Sequence, residues 1–392
     1  MSSGQSRRDA RYVALRSVGA ITRLGARRPT GEARRILVIR PDHLGDLLFL
    51  TPALRRLRAA LPDAEVTALV GPWAKPILER NPDVDNLLFW DIPYFNRRGK
   101  ASPIEPYVSA VRLARELRAR RCDAALVRRF DFWWGALVAQ LAGIPRRAGY
   151  SVPEVAPFLT DAAPYRFEQV HEVERNLDLV GAFVGSRPQT SRDDRLVYPL
   201  SADEISEAEA ALEGQGVRPD EPLVSIHPGA GASLKLWTPA GFGAVANALG
   251  RKLDARVVLT GGPAERDLVA AVASHCERPP VRVLGGTSLG AVGAIYRRSR
   301  IVVGCDSGPL HIAVAVGAPT VHLFGPVDHR LFGPWGVPER HAVVRIDLPC
   351  APCNRLDFCG LPDRSRACVL GITPALVLAS ADSVLASVER SA

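Results

Sequence analysis

Short apolar runs recur along this chain, separated by longer stretches whose apolar residues return with helical spacing. Arg35-Ile36-Leu37-Val38-Ile39-Arg40, Glu65 to Val70, Leu87 to Trp90 and Ala124 to Val127 predict strands. Asp46 to Ala60, with Pro52 in its first turns, and Arg112 to Arg121 predict helices between them. Residues 186–221 are polar and rich in Pro, Asp and Glu, with one helix predicted from Ser201 to Glu213. The pattern then restarts. Strands are predicted at Leu223 to His227, Val257 to Thr260, Val281 to Leu284, Ile301 to Val303 and Thr320 to Phe324, and a helix at Leu310 to Val316. Thr373 as N-cap and Pro374 at the first helical position open a last helix running through Val388. Strands alternating with helices imply parallel, doubly wound sheets. The expected fold class is α/β, two Rossmann-like halves with a cleft between them and a boundary near residues 186–200.

A chain of 392 residues suits two domains, each able to bury its own core. Hydrophobic content of 47% and charged content of 23% are those of a globular protein in water. No apolar run reaches the roughly 20 residues of a membrane-spanning helix, and the Arg-rich N-terminus lacks the apolar core of a secretory signal. A cytoplasmic location is expected. The net charge of +9 changes meaning once it is located. Residues 1–35 carry nine Arg against Asp9 and Glu32, which leaves only +2 for the rest of the chain. The basicity belongs to a tail, not to a nucleic-acid groove. As a helix, the tail would place Arg16, Arg23 and Arg27 opposite Ala14, Val18 and Ile21. Two readings stay open: peripheral contact with the inner face of the cytoplasmic membrane, or a solvated extension.

Neither half carries a dinucleotide fingerprint. The first strand runs into Arg40-Pro41-Asp42-His43-Leu44-Gly45-Asp46, and Gly285 to Gly290 has the wrong glycine spacing. No Walker A loop is present. The chemistry concentrates in the second half, where three predicted strand ends lead into polar or glycine-rich turns. His227-Pro228-Gly229-Ala230-Gly231-Ala232-Ser233 leads to Lys235 and Trp237; Thr260-Gly261-Gly262-Pro263-Ala264-Glu265 is the second turn. Gly304-Cys305-Asp306-Ser307-Gly308-Pro309-Leu310-His311 is the third, a small-residue turn at a helix N-terminus where backbone N–H groups favour an anion. In a parallel sheet these turns share one edge. Lys235 would neutralise phosphate charge, Glu265 would accept from ribose hydroxyls, and the Asp306 turn would hold a second phosphate. Together they suit a nucleoside diphosphate.

These motifs resemble glycosyltransferase family 9, the ADP-heptose:lipopolysaccharide heptosyltransferase family, over residues 35–385. The carriers are HLGDLLFLTPALRRLR, HPGAGASLKLW, LTGGPAERD and GCDSGPLHIAVAVGAPTVHLFGP, in that order. The resemblance implies a GT-B fold, two Rossmann-like domains facing a central cleft. It also implies an inverting transfer from a nucleotide-sugar, ADP-heptose above all, to a hydroxyl of a glycan or glycolipid such as lipopolysaccharide core, with no cofactor required. Asp46 matches the family's general base, with His43 as the alternative because a helix N-terminus favours ionised Asp and weakens it as a base. Lys235, Glu265, Asp306, Ser307, Gly308, Pro309 and His311 match the donor site, with Gly229 in the first turn. Residues 1–34 become a basic extension, 35–190 the acceptor domain, 200–372 the nucleotide-sugar domain, and 373–392 a helix packing back on the first domain. Arg55, Arg56, Arg58, Arg97, Arg98, Lys100, Arg128 and Arg129 are candidates for an anionic acceptor. A nucleotide-sugar epimerase, a protein or natural-product glycosyltransferase and a non-catalytic nucleotide-sugar-binding protein remain alternatives.

Cys350, Cys353, Cys359 and Cys368 are compact enough for a structural tetrathiolate site holding Zn or Fe, as in iron-binding members of the family. Unliganded thiols are the other reading. Four thiolates leave no open position, so the site would staple a loop and take no part in catalysis.

Overall fold

The computed structural model describes residues 32–95, 102–166, 169–186, 194–361 and 365–391. Expectations that rest on residues 1–31, or on Arg97, Arg98 and Lys100, lie outside these residues. The chain divides into two compact units, one up to Ser191 and one from Arg192, with Leu44–Phe49 grouped with the second.

The first unit holds a six-stranded parallel sheet in the order β3-β2-β1-β4-β5-β6. Its strands are β1 (Arg35–Ile39), β2 (Glu65–Val70), β3 (Asn86–Phe89), β4 (Ala124–Val127), β5 (Arg146–Tyr150) and β6 (Asp161–Ala163). The unbroken apolar runs of β1 and β4 fit their central places, covered on both faces. Helix α1 (Leu44–Ala60) follows β1, and α2 (Glu105–Arg120) precedes β4. Helix α2 starts earlier than the apolar spacing predicts, because its first two turns carry apolar side chains on the outside. Helix α3 (Trp133–Leu141) and strands β5 and β6 were not predicted. Nearly every residue of α3 is buried, so it has no polar face to create a period. Helix α4 (Glu172–Val184) begins with a capping box in which the His171 ring accepts from the Val173 N–H and Glu174 accepts from the His171 N–H.

The second unit repeats the plan with the order β12-β11-β10-β7-β8-β9, all parallel. After α5 (Ala202–Glu213) come β7 (Leu223–His227), α6 (Pro239–Lys252), β8 (Arg256–Gly261), α7 (Arg266–Ala273) and β9 (Val281–Leu284). Helix α8 (Leu289–Arg298), β10 (Ser299–Cys305), α9 (Gly308–Ala315), β11 (Thr320–Leu323) and β12 (His341–Val344) follow. Strand β12 was not predicted; it is half-buried at the sheet edge.

The last helix, α10 (Pro374–Ser391), packs on α6, β11 and β12 of its own unit. Val377, Ala381, Val384 and Leu385 join a core containing Phe242, Val245 and Leu249, and the Trp237 indole N–H donates to the Ile372 carbonyl just before the helix. That apolar stripe is satisfied locally. Among the described residues no helix is long and apolar enough to cross a membrane.

Candidate functional site

Parallel register brings the ends of β7, β8 and β10 to one sheet edge: His227 pairs with Gly304, and Ile226 with Leu259. The strands approach closely at Gly304, where a Cβ would overlap the His227 carbonyl. The three polar turns therefore share an edge, as their order along the sequence implies.

Lys235 closes a short 3-10 turn, Ser233–Lys235, and its ammonium donates to Asp306 Oδ2 at 3.0 Å. The His311 ring places Nε2 3.5 Å from Asp306 Oδ1, and all three side chains are largely buried. Burial alone would raise the Asp306 pKa. The Lys235 charge, with the hydrogen bond and charge of His311, outweighs it and holds the carboxyl at about 2. Lys235, read from the sequence as a phosphate cation, thus already carries a carboxylate and is fixed by it.

This arrangement has a pH signature. The folded pKa lies below the ordinary 3.8, so the carboxylate stabilises the fold above about pH 4 and loses that contribution as pH falls through about 2. Urea denaturation between pH 5 and pH 2 is expected to show about 2 kcal/mol more loss for the wild type than for Asp306→Asn. Equal losses would remove Asp306 from the acid response.

Glu265 is positioned by backbone. Its Oε2 accepts from the Gly262 N–H at 2.7 Å, and its carboxylate lies against Gly229, where a Cβ would overlap it. Gly229 is therefore the seat of Glu265, which accounts for a glycine in the first turn. Gly229→Ala should push Glu265 off its place, seen in a crystal structure of the variant as loss of the bond from the Gly262 N–H, with the melting temperature nearly unchanged.

Ser307 caps α9 with extended backbone, φ −158° and ψ 159°, and makes no side-chain capping bond. Its hydroxyl is buried with no hydrogen-bond partner, beside the first N–H groups of α9 and ahead of Pro309. A buried unpaired hydroxyl at a helix N-terminus is costly unless a ligand oxygen completes it. The segment Leu44–Phe49 closes over this turn within the same unit. A Cβ on Gly308 would come within 2.9 Å of the Leu44 Cβ, one on Gly45 within 3.1 Å of the His311 ring, and the Phe49 ring meets His311 edge-on at 4.6 Å. Asp46 sits in this segment, in the first turn of α1. His43 is the N-cap residue, and its ring lies against Trp73 at 5.3 Å.

Sequence reasoning missed the polar chain behind the site. His322 Nε2 and His341 Nδ1 each lie 2.9 Å from the Thr320 hydroxyl, and the His322 ring is 5.5 Å from that of His311. Burial pushes His322 well below its ordinary pKa and His341 down to about 4, so both rings are neutral near pH 7. The alternation of Thr320 and His322 on one face of β11 was the available signal. On β7, His227 lies 3.1 Å from the Thr260 hydroxyl, which lies 2.7 Å from the Tyr296 hydroxyl. The Cys305 thiol, pushed up to about 12 by burial, is an inert small core residue.

In the first unit, three of the acceptor candidates are committed elsewhere. Arg55 pairs with Asp83 and Arg58 with Asp85. Arg129 pairs with Asp42 and Asp131. Arg128 differs. It is fully buried and donates to Asn176, while its Nε and Nη1 have no hydrogen-bond partner. Burial lowers its pKa to about 10, which still leaves a cation at neutral pH.

Cys350, Cys353, Cys359 and Cys368 line one cavity of about 340 Å³ with Leu234 and Arg366. Burial raises the Cys368 thiol, and the neighbouring thiols raise it further. All four are free thiols, and among the described residues no three His, Cys, Asp or Glu side chains are arranged to hold a metal ion. Arg366 donates to the Ser233 carbonyl at 2.8 Å, so the cysteine loop braces the turn that carries Lys235.

Residues 110–357 match the family described as Glycosyltransferase family 9 (heptosyltransferase). The lipopolysaccharide heptosyltransferase 3 of Escherichia coli is 31% identical over 299 residues, 74% of this chain and 83% of the relative. A glycosyl transferase family 9 crystal structure from Veillonella parvula superposes with a TM-score of 0.78 at 22% identity, covering 92% of this chain and 99% of that one. The iron-containing dodecameric glycosyltransferase TibC of enterotoxigenic E. coli gives 0.55 at 16% identity, covering 91% and 77%. The structural likenesses bear on the fold alone.

Proposed function

Because this chain belongs to glycosyltransferase family 9, we propose that it moves a heptose from ADP-heptose, or a close nucleotide-sugar, to a hydroxyl of a glycan or glycolipid such as lipopolysaccharide core. The observation that carries this is the unpaired, buried Ser307 hydroxyl at the N-terminus of α9, flanked by the Lys235–Asp306 pair. A donor diphosphate completes the Ser307 hydroxyl and the α9 amides, while Lys235 adds charge from the side. Glu265, seated on Gly229, accepts from the ribose hydroxyls. Asp46 takes the proton of the acceptor hydroxyl as it attacks the anomeric carbon on the face opposite the diphosphate, which gives inversion. The packing of Gly45 against His311 favours Asp46 over His43. Charge developing on the departing diphosphate is met by Lys235 and the amides, already oriented. Arg128 supplies a buried cation for an anionic acceptor.

The four cysteines form a donor set suited to structural zinc or iron, and TibC, an iron-containing structure of the same fold, adds support. The thiols would have to close onto the ion, since they are not arranged around one here. Elemental analysis of the purified protein is expected to find one zinc or iron per chain, lost together in a variant carrying Cys350→Ser and Cys353→Ser. No stoichiometric metal would leave four free thiols.

The test of function is a panel of nucleotide-sugars with and without lipopolysaccharide-core acceptors. Acceptor-dependent release of ADP, with the anomeric configuration of the product read by NMR, is expected. Sugar isomerisation without acceptor would make it an epimerase, and binding without either reaction a non-catalytic protein.

A further inference from the structure

Three polar side chains behind the site have no part in the transfer described above. Strand β11 puts Thr320 and His322 on one face, and β12 brings His341 into register with Thr320. His322 Nε2 and His341 Nδ1 meet the same Thr320 hydroxyl, each at 2.9 Å. That hydroxyl has a single proton, so one imidazole donates to it and the other accepts from it. The His322 ring stands 5.5 Å from the His311 ring, whose Nε2 is turned to Asp306. Tethering both rings through Nε2 leaves their Nδ1 atoms, which are buried and have no hydrogen-bond partner. Two such nitrogens in adjacent buried rings are costly unless one water joins them. Around His311 stand also Lys235, which shares the Asp306 carboxylate, and Gly45 and Phe49 of the segment that carries Asp46. At the other end His341 is half-buried on the edge strand, with the Arg340 charge beside it.

We propose that His341, Thr320 and His322 relay a proton to His311 when a nucleoside diphosphate occupies the turn at Ser307. With every ring neutral the hydrogen bonds run one way. His341 Nδ1 donates to Thr320, Thr320 to His322 Nε2, His322 Nδ1 through the water to His311 Nδ1, and His311 Nε2 to Asp306. A proton arriving at His341 Nε2 shifts each of these along by one place. The Nδ1 proton of His341 passes to Thr320, the Thr320 proton to His322 Nε2, and the His322 Nδ1 proton through the water to His311. Solvent loses one proton, His311 gains one, and the groups between end neutral. The diphosphate favours the imidazolium so formed. Burial keeps His322 and His341 neutral near pH 7, which suits groups that pass a proton on without holding it. In the proposed transfer the departing diphosphate gains a full negative charge, and a charged His311 opposes it. Thr320, His322 and His341 are positioning residues, since they act through His311. The proposal rests on the reading of this edge as a diphosphate site.

The test is nitrogen-15 NMR of the full chain labelled at histidine, with and without ADP at pH 7.5. Calorimetry of ADP binding in buffers of different ionisation enthalpy counts the protons taken up. In the ADP complex both ring nitrogens of His311 are expected to carry protons, and His322 to exchange its Nδ1 proton for one on Nε2. Binding should take up about one proton per ADP. His322→Phe and Thr320→Val should each lower that uptake about threefold or more, whereas Thr320→Ser, which restores the hydroxyl, should return it to nearly the wild-type value. A structural role alone would lower the melting temperature and leave the proton count unchanged. Three outcomes overturn the relay: ADP bound with His311 singly protonated, the same His322 tautomer with and without ADP, or wild-type uptake in His322→Phe. No binding of ADP would overturn the diphosphate reading together with the relay, and is thereby told apart from these three.

Discussion

Replacing Asp46 with asparagine is expected to lower kcat by about three orders of magnitude, within the range that a positioned general base supplies, while the Kd for ADP stays within about twofold. Asparagine keeps the shape and the place in the first turn of α1 but cannot take a proton. The dipole at a helix N-terminus favours the carboxylate and makes it a weaker base. That is acceptable because the attacking hydroxyl loses its proton late, as the bond to the anomeric carbon forms. His43→Gln should cost less than tenfold, since the His43 ring is held against Trp73. The opposite ranking, with Asp46→Asn near normal and His43→Gln inactive, would transfer the base to His43. Equal loss of ADP affinity and turnover in Asp46→Asn would mean that the carboxylate supports the turn and takes no part in proton transfer.

The strands that place this site were legible because each is an unbroken apolar run with a polar turn at its C-terminal end. β7, β8 and β10 were found at Leu223 to His227, Val257 to Thr260 and Ile301 to Val303, and their turns share an edge once the sheet is parallel. What the sequence hid was local and had physical causes. Helix α3 has no polar face, so no period announces it. Helix α2 begins with exposed apolar residues, which disguised its first turns as a loop. The pairing of Lys235 with Asp306 spans 71 positions and depends on sheet register, which spacing alone cannot supply. Gly229 was placed in the donor site from its turn, but that it seats the Glu265 carboxylate depends on a close approach that spacing cannot show. The apolar stripe of the last helix says that it packs, but not that α6, β11 and β12 receive it. The cysteine spacing made the cluster visible, but not the bond from Arg366 to Ser233 that ties it to the lysine turn.

That pairing makes Lys235→Met the second large effect, and it can be separated into two parts. Removing the ammonium leaves Asp306 as a buried carboxylate whose main opposing charge is gone, and breaking such a pair costs about 3–5 kcal/mol of stability. It also removes the cation proposed to neutralise the donor diphosphate. The double variant Lys235→Met with Asp306→Asn removes both charges and should recover most of the stability, because a neutral pair of similar volume carries no unpaired ion. It should not recover turnover. Denaturation midpoints and kcat/KM measured on the wild type, both single variants and the double variant make a cycle whose two readouts are expected to diverge. If activity returned with stability, Lys235 would be a brace for the fold at the sheet edge and the diphosphate would need another cation. If neither returned, His311, hydrogen-bonded to the same carboxylate, would be the group that the loss of Asp306 disables.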